Sequence, residues 1–181
     1  MSNSPTSTKT LGIIVFSAAV LLAGALALAL TLAPLGRWYQ STATSLTEAH
    51  YAHRAVTELE QGSDLAAATD AKSAHSATLL GVAYTLTNQQ AALRDLAATQ
   101  GSPEASGRII AIGASNLTLA QELFALKLYK RSLAEVKLAV AQDPARITAQ
   151  RLLVTAARQT GDSALADQHQ LLLDRLIAGR P

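Results

Sequence analysis

Residues 11–33, LGIIVFSAAVLLAGALALALTLA, constrain this chain more than any other feature. Nineteen of the 23 are apolar and none is charged. As a helix rising about 1.5 Å per residue they span roughly 34 Å, enough for a hydrocarbon core of about 30 Å. The apolar core of a cleaved signal peptide is shorter, about 7–15 residues, and Ala33 runs straight into Pro34. The expectation is therefore an uncleaved transmembrane helix over 11–33, after a short polar tail (1–10) and before an interfacial linker (34–41). Arg37, Trp38 and Tyr39 in that linker have the composition of a membrane interface, where aromatic rings lie among headgroups with their polar atoms wet. The tail holds Lys9 and the α-amino group, against Arg37 on the other flank. That one-charge bias favours an extracytoplasmic domain, periplasmic in a bacterial host. Gly24 has small neighbours, but the run contains no GxxxG pairing motif.

Residues 42–181 are numerous enough for one domain. The whole chain carries only two Phe, one Trp and four Tyr. Alanine and leucine dominate, a balance that favours helices over sheets, so the fold class expected is all-α. The absence of cysteine excludes disulfide scaffolds, thiolate metal sites and cysteine nucleophiles. A net charge of +2 gives no reason to expect nucleic acid as a partner.

Apolar residues recur three and four apart, punctuated by turn residues. A first helix is expected over 42–61. Gly62-Ser63-Asp64 ends it and starts the next, with glycine after a helix end and Ser or Asp as an N-cap. Whether 64–87 is one helix or two, with the first stopping near His75 or running on to Thr87, stays open. Gln90–Thr99 is a short helix. Gly101-Ser102-Pro103-Glu104 starts another, with Ser as N-cap, Pro in the first turn and Glu at its positive end. That helix runs toward Leu126, with a break allowed near Gly113. Tyr129–Gln142, Ala145–Thr160 and Ser163–Ile177 complete the pattern, separated by Asp143-Pro144 and Gly161-Asp162.

The distal half resembles the tetratricopeptide repeat (TPR). Leu119, Ala120 and Leu123 fit its first helix. Tyr129, Ser132 and Ala139 fit its second, and Asp143-Pro144 its close. Lys127 stands where the family prefers glycine. Thirty-four residues on, Gly161-Asp162 repeats the turn, with Leu153 and Ala166 matching Leu119 and Ser132. Leu80-Gly81-x-x-Tyr84 and the Gln61–Asp64 turn with Ala67 and Ala71 are looser echoes. The resemblance implies a TPR-like helical-hairpin array behind the anchor. It also implies a partner-binding groove formed by first helices, placing Asn116, Glu122, Arg151 and Arg158 on it.

Charge is sorted along the chain. Residues 46–104 hold seven acids and three Lys/Arg, and residues 105–181 hold six acids and ten Lys/Arg. Lys127, Lys130, Arg131 and Lys137 cluster near one turn, with Arg146, Arg151 and Arg158 on the following helix. A basic face of this kind suits an acidic partner segment or anionic headgroups. His50-x-x-His53 puts two imidazoles on one helical face, but nothing in the spacing recruits a third ligand, so no metal or cofactor is expected. No nucleotide loop, hydrolase elbow or metalloprotease motif occurs, so no catalytic residues are assigned. Together these features imply a single-pass membrane-anchored adaptor or scaffold. Its partners would be the bilayer and other membrane or membrane-associated proteins, and homo-oligomers are compatible with it. The alternative is a permanent accessory subunit whose membrane helix packs inside a larger complex.

Overall fold

The computed structural model describes residues 42–179. The chain divides into two compact units, residues 1–47 and 48–181. In the first, the described residues 42–47 are helical. The second is all-helical, with no strand among the described residues. None of the described helices is long and apolar enough to cross a membrane. The apolar run 11–33 and the interfacial Arg37, Trp38 and Tyr39 lie outside the described residues.

Helical backbone over 42–61, here α1, is followed by α2 (Asp64–Ser73), α3 (Ala77–Leu86), α4 (Gln90–Ala98) and α5 (Pro103–Ala114). Then come α6 (Asn116–Ala125), α7 (Tyr129–Gln142), α8 (Ile147–Thr160) and α9 (Ser163–Ala178). Residues 64–87 are thus two helices. The turn between them is made without glycine: His75 takes a left-handed φ of 51°.

One hydrogen-bonded turn recurs at five helix ends among the described residues. Gly62, His75, Asn88, Lys127 and Gly161 all have positive φ, between 51° and 83°. The next residue's N–H reaches back five positions each time. Ser63 donates to Glu58 O (2.8 Å), Ser76 to Ala71 O (3.1 Å), Gln89 to Tyr84 O (2.8 Å), Leu128 to Leu123 O (2.9 Å) and Asp162 to Ala157 O (2.9 Å). This left-handed closure satisfies a carbonyl that the helix end leaves orphaned. The same residue then starts the next helix: its own carbonyl accepts the N–H four residues on, as Leu128 O does from Ser132 at 2.9 Å.

Other junctions differ. Ser102 caps α5, accepting from Ala105 N–H at 3.1 Å, with Pro103 in the first turn. The break expected near Gly113 falls at Ser115, an extended residue that ends α5 and whose hydroxyl caps α6. Asp143 accepts from Ala145 N–H at 3.2 Å and bends the chain before Pro144.

Helices adjacent in sequence pack together, and α3 also meets α5 and α6. Glycine permits close approach where α5 crosses its neighbours. A Cβ on Gly81 would stand 3.1 Å from Ile109 Cδ1, and one on Gly113 would overlap Leu93 Cδ2. Buried side chains form two cores. The proximal one gathers Leu59, Val82, Ile112 and Leu123 around buried alanines of α1 to α4. The distal one gathers Val136, Leu153 and Val154 around Ala149, Ala156, Ala157 and Ala166. Small residues let these helices approach closely enough to exclude water without bulky filling. Helix α6 serves both, giving Leu119 and Leu123 to the first and Leu117 and Ala120 to the second. Burial repeats at an offset of 34 residues: Leu119 with Leu153, and Ser132 with Ala166, are buried in matching places.

Two buried polar side chains are hydrogen-bonded across helices and turns. Ser132 donates its hydroxyl to Ala120 O at 2.7 Å, stitching α7 to α6. Gln150 donates to Pro144 O at 2.8 Å and lies 2.7 Å from His169 Nδ1. A glutamine Oε1 only accepts, so His169 donates through Nδ1 and ties α9 to α8. Burial, reinforced by the Lys137 charge, lowers the His169 pKa below its ordinary value.

Candidate partner-binding surface

The left-handed turn at Lys127 positions the basic cluster. Lys127 points out of the α6–α7 junction, and Lys130 and Arg131 follow on the first turn of α7, with Lys127 and Lys130 both exposed. Buried Leu128 anchors the turn from beneath. Lys127, Lys130 and Arg131 line one cleft of ≈ 230 Å³ with Tyr129, Gln159, Thr160 and Glu60. The Tyr129 ring packs edge-on to Phe124, centroids 5.1 Å apart, and braces the start of α7.

The basic residues in this cleft are not equivalent. Arg131 is committed to Asp64 of α2 through two bonds, one of them 2.9 Å from Nη2 to Oδ2. Its side chain is 26% exposed and that of Asp64 16%, so this pair is partly desolvated and binds α7 to the start of α2. Ser63 stands at the N-cap of α2 without a side-chain cap bond. The acid of that first turn is turned to the arginine. Lys127 and Lys130 are therefore the cations of this cleft with no ion pair among the described residues, and Glu60 is the opposing charge on its lining.

The remaining predicted residues fall elsewhere. Glu122 is held by Arg108 in a two-pronged pair, 2.8 Å from Nε to Oε1 and 2.6 Å from Nη2 to Oε2. The pair strengthens the hold of Arg108 on its proton. Asn116 opens α6 and is half-buried. Lys137 is exposed on α7. Arg158 lies 3.5 Å from Gln170 across the α8–α9 hairpin. Arg151 lines a second, ≈ 550 Å³ cleft with Asp143, Arg146, Thr148 and Ile177. Asn116, Glu122, Arg151 and Arg158 thus do not line the cleft that holds Lys127 and Lys130. His50 and His53 stand exposed on α1. No group of three or more metal-capable side chains forms among the described residues.

No protein-family profile, curated protein or solved structure matches this chain.

Sequence reasoning does not find Asp64 and Arg108 as parts of this charge pattern. Asp64 and Arg131 are 67 residues apart, and Asp64 reads locally as a cap. Arg108 and Glu122, 14 apart across the Ser115 break, have no helical spacing to announce them. Arg131 does more than charge the surface: its guanidinium partly offsets the burial that raises the pKa of Glu135.

Proposed function

We propose that this chain is a membrane-anchored, TPR-like adaptor or scaffold that binds partner proteins in the assembly or stabilisation of a membrane or envelope complex. The observation that carries the reading is the recurrent left-handed closure between short helices, with the Lys127 and Gly161 turns one 34-residue period apart. Stacked hairpins of this kind make extended surfaces suited to holding other chains. The apolar run 11–33 supports the anchor, which would raise the effective concentration of the domain for other membrane proteins. The cleft with Lys127 and Lys130 favours a partner segment carrying acids.

Co-purification of the full chain from its native membrane in mild detergent tests this. An adaptor yields discrete partners released by salt and lost when Lys127→Glu and Lys130→Glu are combined. A stoichiometric complex that survives high salt and ignores those substitutions identifies a fixed accessory subunit instead. A reporter fused at the C-terminus, active only outside the cytoplasm, tests the orientation.

A further inference from the structure

Helix α9 packs on α8, and its other side carries apolar surface in water: Leu171 is 62% exposed and Leu172 39%. The residues around Leu171 are arranged symmetrically in chemistry. Asp167 lies four before it and Arg175 four after it, both exposed and neither with a side-chain partner among the described residues. These three form a single row on the helix surface, since residues four apart lie on one ridge. Seven residues to either side stand Ala164 and Ala178, both exposed and small.

A row with an acid on one side of a leucine and a base at equal distance on the other is complementary to itself when turned end for end. We propose that α9 is a homodimer interface, in which two copies pair antiparallel about a two-fold axis passing at Leu171. Leu171 then meets its own counterpart. Asp167 of each copy faces Arg175 of the other, so the pair forms twice, as an isologous interface requires. Ala164 faces Ala178, leaving the helix ends room to approach. The acid Asp174, held by Gln170 at 2.8 Å, falls opposite Gln168, so no like charges are set against each other. The pairing depends neither on the anchor nor on any partner protein.

The chain has no cysteine, so one introduced thiol reports on one contact. In the full chain, Leu171→Cys should form a disulfide-linked dimer on mild oxidation about tenfold faster than Leu138→Cys. Leu138 is a control of similar exposure, 52%, on α7. Asp167→Arg or Arg175→Asp alone sets like charges together twice per dimer. Each should weaken association measured by sedimentation by about threefold to thirtyfold. The doubly exchanged chain, Asp167→Arg with Arg175→Asp, is again self-complementary and should return to within about twofold of the native strength. All three positions are exposed, and far-UV circular dichroism confirms folding of each variant. Equal cross-linking rates at 171 and 138 overturn the proposal. So does a double variant as weak as the singles, or a chain that stays monomeric at every concentration.

Discussion

Replacing Lys127 by glycine should stabilise this protein, although most substitutions of an ordered residue destabilise. Lys127 has a φ of 63° at the α6–α7 turn, and the turn depends on that angle. Lys127 N–H reaches Phe124 O at 2.9 Å and Leu128 N–H reaches Leu123 O at 2.9 Å. Both bonds belong to the backbone and survive the change. A residue with a Cβ in this region costs about 1–2 kcal/mol relative to glycine. The greater freedom of glycine in the unfolded chain returns about 0.4–1 kcal/mol of that. The balance is a gain of about 0.5–1 kcal/mol, or about 1–4 °C in Tm for a chain of this size. Lys127→Ala keeps the Cβ and removes the charge, so it should leave Tm nearly unchanged. The mirror substitution is Gly161→Ala, at φ 82° with nothing within 4 Å of the added Cβ. It should lose about what Lys127→Gly gains. Thermal unfolding of the four proteins by far-UV circular dichroism is the assay. If Lys127→Ala stabilises as much as Lys127→Gly, relief of charge and not of backbone strain is responsible, and the turn argument is refuted.

The same geometry governs other outcomes. Urea titration of Asp64→Ala, Arg131→Ala and the double variant should give a coupling of about 1–2 kcal/mol, since a two-pronged, partly desolvated pair exceeds an ordinary surface pair. Additive losses would show that the α2–α7 tie contributes nothing. Ser132→Ala should cost about 1 kcal/mol through loss of the bond to Ala120, whereas Ser132→Leu overfills a site with no room and should cost more. Equal losses would mean that the hydroxyl, not the tight approach of the helices, is what matters there. His169 has a folded pKa below its unfolded value of about 6.5, so the unfolded chain takes up its proton first on acidification. Its contribution to stability is complete above about pH 6.5 and is lost as pH falls from there through the folded pKa. Stability of the native chain should therefore drop more steeply below pH 6.5 than that of His169→Asn, and parallel curves would remove His169 from the account.

Helix existence is largely legible in the sequence because it is written in local residues. Tyr129–Gln142 is bounded correctly by the turn before it and Asp143-Pro144 after it, and Ser102-Pro103 marks the start of α5 by capping chemistry alone. The turn at His75 is legible only as one of two possible ends for the second helix. Histidine is among the residues that tolerate the left-handed region, but far less distinctively than glycine, and the φ of 51° there decides between the two. The split at Ser115 lies two residues beyond Gly113, where the sequence suggests it. That glycine has a different task, making room for Leu93. The surface is less legible than the fold. A count of charges marks Arg131 as available and the repeat resemblance marks Glu122, and only the three-dimensional partners Asp64 and Arg108 show that both are engaged. Charge sorting along a sequence says little about the faces that helices present once long-range pairs have formed.

Helix α6 has a consequence that reaches beyond packing. Its ten residues are a wall shared by two rooms: Leu119 and Leu123 furnish one core, Leu117 and Ala120 the other. The unit of residues 48–181, built this way, has no seam between its two cores. Cutting before α6 strips the proximal core of two of its leucines, and cutting after it leaves the distal core without its floor. Neither half should hold its shape as a fragment. The slowest amides to exchange should lie in α6 and not at the centre of either core.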